Sequence, residues 1–490
     1  MKKFLIITAF FSFFLTVANS QSLFDALRYS QLEVGGTSRT IGVGGGIGAL
    51  GADFSVLSTN PAGMAAYRRS EFVFTPTWYS SQTEAQLQGD ASNFAINSEK
   101  TNFNLNALGI VFATRPMASD WKVTAFGIGF NKLANFNQRT FFEGVSEGSI
   151  TNRWLELAQG YTPSELDDFE AGLAYDAEAI YTDADDETLY YSDFDENEPV
   201  RKSQLIRQKG SINELVFSFA GNYDEKLMMG LTLGVPILDY EEVKTYRETD
   251  PDDTNPVFEE LEFSERVRTT GAGINLKMGL IYRFNQMVRM GVALHTPTGF
   301  ALDDSYSTSL DYTYNFNGFN QGSANSPEGS FEYRLRTPWR FIGSLGLLFD
   351  KLGFLTAEVE WLDYTSAQFN FNQTNNIDDL EYEQELNDQI ERELGSAVNV
   401  RLGGEFAWNI LRLRAGYGIM GSPYLDDDEY QSAISVGAGV REKSFFIDLA
   451  YRHTSDSGTY SPYITSSAPE QTVAIDESKG KFMLTFGVKF

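Results

Sequence analysis

Across residues 481–490, Phe482, Leu484, Phe486, Val488 and Phe490 fall on one face of an extended chain, and Met483, Thr485, Gly487 and Lys489 fall on the other. Successive side chains of a strand point to opposite sides, so this spacing predicts a strand with one greasy face and one small or polar face. The pattern recurs at Leu227, Met229, Leu231, Leu233 and Val235, at Ile274, Leu276, Met278, Leu280 and Tyr282, and at Val398, Val400, Leu402, Phe406 and Trp408. It returns at Leu411, Leu413, Ala415, Tyr417 and Ile419, and at Phe445, Ile447, Leu449 and Tyr451. The opposite faces carry Thr232, Asn275, Lys277, Arg283, Asn399, Arg401, Glu405, Arg412, Arg414, Asp448 and Arg452. Reading for period two gives about fourteen such segments. A bilayer offers no partner to an unpaired sheet edge, so strands that are greasy outside and charged inside must close on themselves. The expected fold class is all-β: a transmembrane antiparallel β-barrel of about fourteen strands.

Connection lengths support the same reading, because short and long links alternate in order. Short ones fall at 115–120, 222–225, 284–287, 350–352, 409–410 and 441–443; long ones fall at 80–101, 134–210, 241–266, 302–330, 372–397, 421–430 and 454–478. A membrane barrel has short turns on one side and long loops on the other, whereas a soluble sandwich has no reason to segregate them. The largest loop, 134–210, holds Thr162-Pro163-Ser164-Glu165, a capping residue, a first-turn proline and a glutamate three residues on, followed by Leu166, Phe169, Leu173 and Ile180. That order predicts a helix, and residues 379–394 predict another. Such helices either roof the barrel mouth or belong to solvated acidic loops. The acidic runs at 183–187 and 426–429 lack the glycine of a calcium-binding EF-hand loop, so no metal site is assigned.

Composition narrows the class. Lys2 and Lys3, an apolar run over 4–17 and Ala18-Asn19-Ser20 read as a signal peptide over 1–20, so the expected location is the cell outer membrane. With 67 acidic and 38 basic side chains the formal charge is -29, which argues against a nucleic-acid partner. The 39 Phe, 24 Tyr and 6 Trp suit aromatic girdles at two membrane interfaces, and the 43 Gly suit a filled lumen. Cysteine is absent from the sequence. Gly46-Ile-Gly-Ala-Leu-Gly51 matches a dinucleotide fingerprint without its strand-turn-helix context, and Gly144-Val-Ser-Glu-Gly148 matches a nucleophile elbow inside a loop. His295 and His453 are the only histidines. No constellation supports an enzyme or a cofactor.

The segment before the first strand, 21–70, is too small and glycine-rich to form a core alone, and it makes sense as a plug inside the barrel that follows over 71–490. Its glycine run over 34–53 and its Asn60-Pro61-Ala62-Gly63 sequence resemble the hatch of the FadL-type long-chain fatty acid and hydrocarbon transporter family, in the version typical of Bacteroidetes. Residues 294–298 and 336–340 also resemble that family. The resemblance implies a fourteen-stranded barrel with an N-terminal hatch, passive uptake of hydrophobic molecules, and lateral release into the bilayer at a kinked third strand.

The third strand is informative by itself. Trp121, Val123 and Ala125 begin one phase, while Phe126, Ile128 and Phe130 occupy the other, with Gly127 and Gly129 between them. A phase slip needs a bulge, which either opens a lateral gate or only adjusts register. A ligand carboxylate would need a cation, for which Arg334, Arg336, Arg401, Arg412 and Arg414 are candidates by their lumen-facing phase; the alternative is structural pairing with Glu358, Glu360, Glu405 or Asp448. The expected partners are a fatty-acid-like ligand and membrane lipid. A rival reading makes the barrel a platform for protein secretion or outer-membrane assembly, as in the PorV-like branch, with protein partners at the loops. An open porin is disfavoured because the plug blocks it.

Overall fold

In the computed structural model, residues 22–117, 119–194, 198–250, 254–371, 376–425, 427, 429–466 and 470–490 are described. The signal peptide over 1–20 and parts of the acidic run at 426–429 lie outside them. The strands are β1 (Glu71–Leu87), β2 (Ile96–Thr114), β3 (Trp121–Asn135, continuing as Gln138–Glu147), β4 (Pro199–Tyr223), β5 (Leu227–Thr249), β6 (Phe258–Arg283) and β7 (Val288–His295, continuing as Gly299–Asn315). They continue as β8 (Gly329–Arg336 and Arg340–Leu348), β9 (Gly353–Asp363), β10 (Ser396–Trp408), β11 (Leu411–Gly421), β12 (Tyr430–Arg441), β13 (Phe445–Tyr460) and β14 (Val473–Lys489). Each pairs antiparallel with its neighbour, and β14 returns to β1 through partners such as Trp78 and Phe482, so the 14-stranded barrel closes.

The outward phase is the greasy one. On β14, Phe482, Phe486 and Val488 are exposed while Met483 and Thr485 are buried. Trp78, Phe103, Trp361, Tyr417 and Tyr451 form part of an outward aromatic band. A belt of this kind is stable only in lipid, and no described helix is long and apolar enough to cross a membrane. The tight links include Asp224 and Glu225, Asp350 and Asn409, all at positive φ, as short hairpin turns require.

Several stretches read as loops are ladders. β1 and β2 stay paired up to Ala85 opposite Ile96, and β5 and β6 up to Thr249 opposite Glu260. The 26-residue β6 is far longer than the ~10 residues that cross a bilayer, so β4 to β7 stand as a wall above the lipid belt. The outward face of that wall carries polar residues such as Asp239, Glu262, Arg266 and Asp303, so the greasy outward period is missing there, and its apolar residues, such as Leu261, Phe263, Leu310 and Tyr312, lie on the inward face. The segment 138–147, inside the large loop, is likewise a strand, paired with β4. The expected helix at 162 is only a 3-10 turn, Pro163–Glu165, with Thr162 and Glu165 making the capping box. True helices flank it, Ile150–Ala158 and Ala171–Asp176, and they pack on the wall around Trp154, Phe263 and Tyr312. Lys202, fully buried in this wall, donates to Ser146 Oγ at 2.7 Å, and burial pushes its ammonium down to about 8. The helix expected at 379–394 spans Ile377–Glu393.

Candidate functional site: the plugged lumen, its cavity and its wall

The leading segment lies inside the barrel. Helix Leu23–Ser30 sits at the loop end, against Tyr240, Phe300, Leu335 and the Ile377–Glu393 helix, and a second helix, Ser38–Gly42, touches β11 to β14. Asp53 ties this segment together by accepting bonds from Thr37 Oγ1 (2.8 Å), Thr40 Oγ1 (3.0 Å), Ser55 N (3.0 Å) and Ser55 Oγ (2.8 Å). Asn60 caps the turn Pro61–Ala66 by accepting from Ala62 N at 3.2 Å, and its amide donates to Gly48 O at 2.7 Å. Gly63 O accepts from Ala52 N at 3.0 Å, and Pro61, Ala62 and Gly63 are buried.

Lumen-facing glycines let this backbone approach the wall. A Cβ on Gly279 would lie 1.9 Å from Asn60 Oδ1, on Gly230 2.3 Å from Pro61 C, on Gly403 2.0 Å from Val43 O and on Gly416 2.1 Å from Gly44 N. Replacing Gly279 with Val is therefore expected to expel the Asn60 turn while leaving the hydrogen-bonded wall intact. Ion conductance in planar bilayers should rise, and the heat-dependent gel shift of the folded barrel should persist.

The five arginine candidates separate into two groups. Arg401 pairs with Glu358 at 3.1 Å and Glu360 at 2.5 Å, Glu360 also takes Arg340 at 3.0 Å, and Glu358 accepts from Gly48 N at 3.0 Å. Arg414 bridges Glu405 at 2.7 Å and Asp448 at 2.8 Å, with Arg441 on Asp448 at 2.7 Å. Arg412 donates to the turn carbonyls of Asn409 and Leu411 and lies 3.7 Å from Glu405. These three are framework cations. Arg334 and Arg336 do not face the lumen: Tyr333 and Leu335, which alternate with them, are buried and both arginines are exposed. The interruption at Thr337-Pro338-Trp339 separates the two halves of β8, so lumen phase cannot be carried upward across it. Removing the Arg401 charge, as in Arg401→Met, leaves Glu358 buried without its cation and should cost ~3–5 kcal/mol, read as an earlier urea midpoint of the folded barrel.

A cavity of about 490 Å³ lies between the leading segment and the inner face of β10 to β14. Phe24, Leu27, Leu32 and Met420 give it an apolar side. Its cations are mostly neutralised: Arg28 by Asp25, Arg340 and Arg401 by Glu360, Lys479 by Glu477 at 2.8 Å and Lys481 by Glu33. Arg452 is different. It is 9% exposed, lines the cavity and, among the described residues, has no ion-pair or hydrogen-bond partner. It also stands directly opposite Lys481 in the β13–β14 register. Like charges opposite one another destabilise a sheet, so the pair favours an anion between them. Sequence reading placed Arg452 on the polar face without singling it out; the signal was its position facing Lys481 across the final hairpin.

The wall carries a second feature. β2 and β3 pair only from Thr114 opposite Thr124 to Ala107 opposite Asn131. Above that point β2 keeps β1 as its partner, while β3 keeps β4 and leans across the inner face of β1, where Thr83 Oγ1 donates to Arg139 O at 2.8 Å and Phe142 packs on Ala85 and Leu87. The result is a seam between β2 and β3. It begins below the outward Trp78–Phe103 contact, whose rings are 5.0 Å apart, and therefore within the lipid belt. Asparagines line it: Asn106 donates to Gly36 O at 2.7 Å, Asn131 to Ser58 Oγ at 2.8 Å, and both amide atoms of Asn104 are buried without partners. Glu33 N reaches Leu133 O at 2.8 Å, so the leading segment covers the seam from inside.

Side-chain phase in the sequence predicts the slip at Phe126 to Phe130. The register shifts instead lie between Trp121 and Val123 and between Lys132 and Ala134, and Phe126 and Ile128 are exposed in one continuous phase, with Phe130 next on it. Gly127 and Gly129 face inward, where a Cβ would meet Met64 Sδ and Leu57 at 2.8 Å and the Phe54 ring at 2.5 Å. They make room for the plug rather than for a bend. His295 bonds the plug at Thr59 O (2.6 Å). Among the described residues no group of three or more His, Asp or Glu is placed to hold a metal ion.

No protein-family model matches the sequence, and no curated protein matches it significantly. Similarity is found among solved structures. A Pseudomonas aeruginosa FadL homologue aligns with a TM-score of 0.56 at 12% identity, over 94% of this chain and 100% of the other. The Ralstonia pickettii toluene transporter TbuX gives 0.50 at 12% over 93% and 99%, and the Pseudomonas putida toluene transporter TodX gives 0.50 at 11% over 94% and 99%. At this identity the likeness speaks for architecture alone, and by architecture this chain has the FadL-like fold, a fourteen-stranded barrel.

Proposed function

We propose that this chain is an outer-membrane channel for passive uptake of hydrophobic small molecules with an anionic head, long-chain fatty acids first. The observation that carries the reading is Arg452, buried in an amphiphilic cavity and facing Lys481 without an acid of its own. A carboxylate there gains charge-assisted hydrogen bonds, while its alkyl tail gains ~0.8 kcal/mol per methylene on leaving water for the side lined by Phe24, Leu27 and Leu32. Transfer down that gradient needs no energy source.

Exit follows from the same residues. Glu33 already places a carboxylate on Lys481 and holds Leu133 at the seam through its backbone. An incoming carboxylate competes with Glu33, and its release loosens the segment that covers the Asn104 edge. The ligand then leaves sideways between β2 and β3 into lipid, without returning to water. The direct test is mass spectrometry of small molecules extracted from gently purified protein: a monocarboxylate with a long alkyl chain supports the reading, and uncharged hydrocarbon alone would move the assignment to hydrocarbon uptake. The wall of β4 to β7, which stands above the lipid belt beside the acidic loop of residues 154–200, favours a second reading as a docking platform for proteins. Stoichiometric co-purification of a protein partner at native abundance would establish it.

A further inference from the structure

The geometry points to a lipid-binding site on the outside of the barrel, over β5 to β9, for a phosphorylated, multiply acylated glycolipid of the outer leaflet. The inference rests on outer-membrane placement and not on the uptake reading. An apolar groove of about 800 Å³ runs along this face, walled by Met278, Leu280, Val292, Phe341 and Trp361. Its size lies within the ~300–1,000 Å³ range of small-molecule sites. The groove exists because the wall is shallow there. Gly343 points outward between Phe341 and Leu345, and a Cβ on it would meet nothing within 4 Å.

The depression continues upward. Gly299, whose Cβ would also meet nothing within 4 Å, and Ala301 are the outward residues of β7 above the groove. Directly opposite them in register stand Arg336 and Arg334. These two arginines lie above the Phe341–Trp361 aromatic pair, at headgroup depth rather than chain depth. Outward cations on neighbouring strands are matched within the wall: Lys209 and Arg266 by Glu241 at 2.9 and 3.3 Å, and Arg268 by Asp239 at 3.3 Å. Arg334 and Arg336 have no ion-pair or hydrogen-bond partner among the described residues, although Glu332 lies one outward step above Arg334. Two forked guanidinium groups over an apolar trough, on a chain whose formal charge is -29, match a phosphate carried above acyl chains.

The test is native mass spectrometry of the full-length barrel taken from outer membranes in mild detergent and washed by exchange. Wild type should retain one phosphorylated acyl-glycolipid. The Arg334→Glu/Arg336→Glu variant should retain about tenfold less. Gly343→Trp, which fills the groove without touching either arginine, should lose it as well. Both sets of positions face outward, and the heat-dependent gel shift reports that each variant is folded. Equal retention by all three proteins, retention of glycerophospholipid alone, or no bound lipid on wild type would overturn the proposal.

Discussion

Replacing Arg452 with Met is expected to weaken binding of a long-chain fatty acid by ~10–100-fold, because a hydrogen bond to a charged group contributes ~1.5–3 kcal/mol. Binding of an uncharged hydrocarbon of similar length should barely change. The contrast separates a head-group role from a packing role, since Met keeps most of the apolar stem and removes only the fork. Displacement of a fluorescent fatty acid from purified barrel reads the first ligand, and direct partitioning into the protein reads the second. Arg401→Met cannot substitute for this experiment, because Arg401 holds Glu358 and Glu360 and its loss unsettles the wall. Glu33→Gln should act in the opposite direction on affinity: with the resident carboxylate neutralised, Lys481 is open to the ligand and binding tightens. Equal affinities for both ligand types in Arg452→Met would remove the cavity from the pathway.

The second large effect concerns the seam. Asn102 and Asn135 face one another across it, with Asn135 Nδ2 3.5 Å from Asn102 Oδ1. The sequence has no cysteine, so Asn102→Cys/Asn135→Cys introduces the only thiols. Bridging them with a short bifunctional thiol reagent should abolish uptake into lipid vesicles, and cleaving the bridge should restore it. Ligand binding to the cavity should survive bridging, because Arg452 and Lys481 lie on β13 and β14. Uptake that continues with the seam closed would place the exit elsewhere in the wall.

What could be read from residues alone depends on which distances the chemistry spans. The outward phase of β14, Phe482 to Val488, follows from backbone alternation, a property of neighbouring residues. The Thr162 to Glu165 capping box was equally local and is present, yet the helix it announced stops after one turn, because Leu166 leaves helical geometry. The slip in β3 was inferred from side-chain phase and placed at Phe126. Two bulges further out do the work, and they are recognised only from the register with β4. Arg334 and Arg336 face outward, against the expected phase, for a related reason: phase cannot be carried across an interruption whose length in space is unknown.

The alternation of greasy and polar faces strand after strand, the alternation of short and long links, and the glycine-rich segment ahead of the first strand are all legible in the order of residues. Those are consequences of a two-residue period and of local turn chemistry. Which charges cancel is settled by the closed barrel and not by the order of residues. Arg401 finds Glu358 across 43 residues and Ser38 finds Thr485 across 447, both set by strand register, barrel closure and the position of the plug. Arg452 is left without an acid by that same arrangement, and no local pattern encodes it, since a cation's partner in a closed sheet is chosen by geometry at long range.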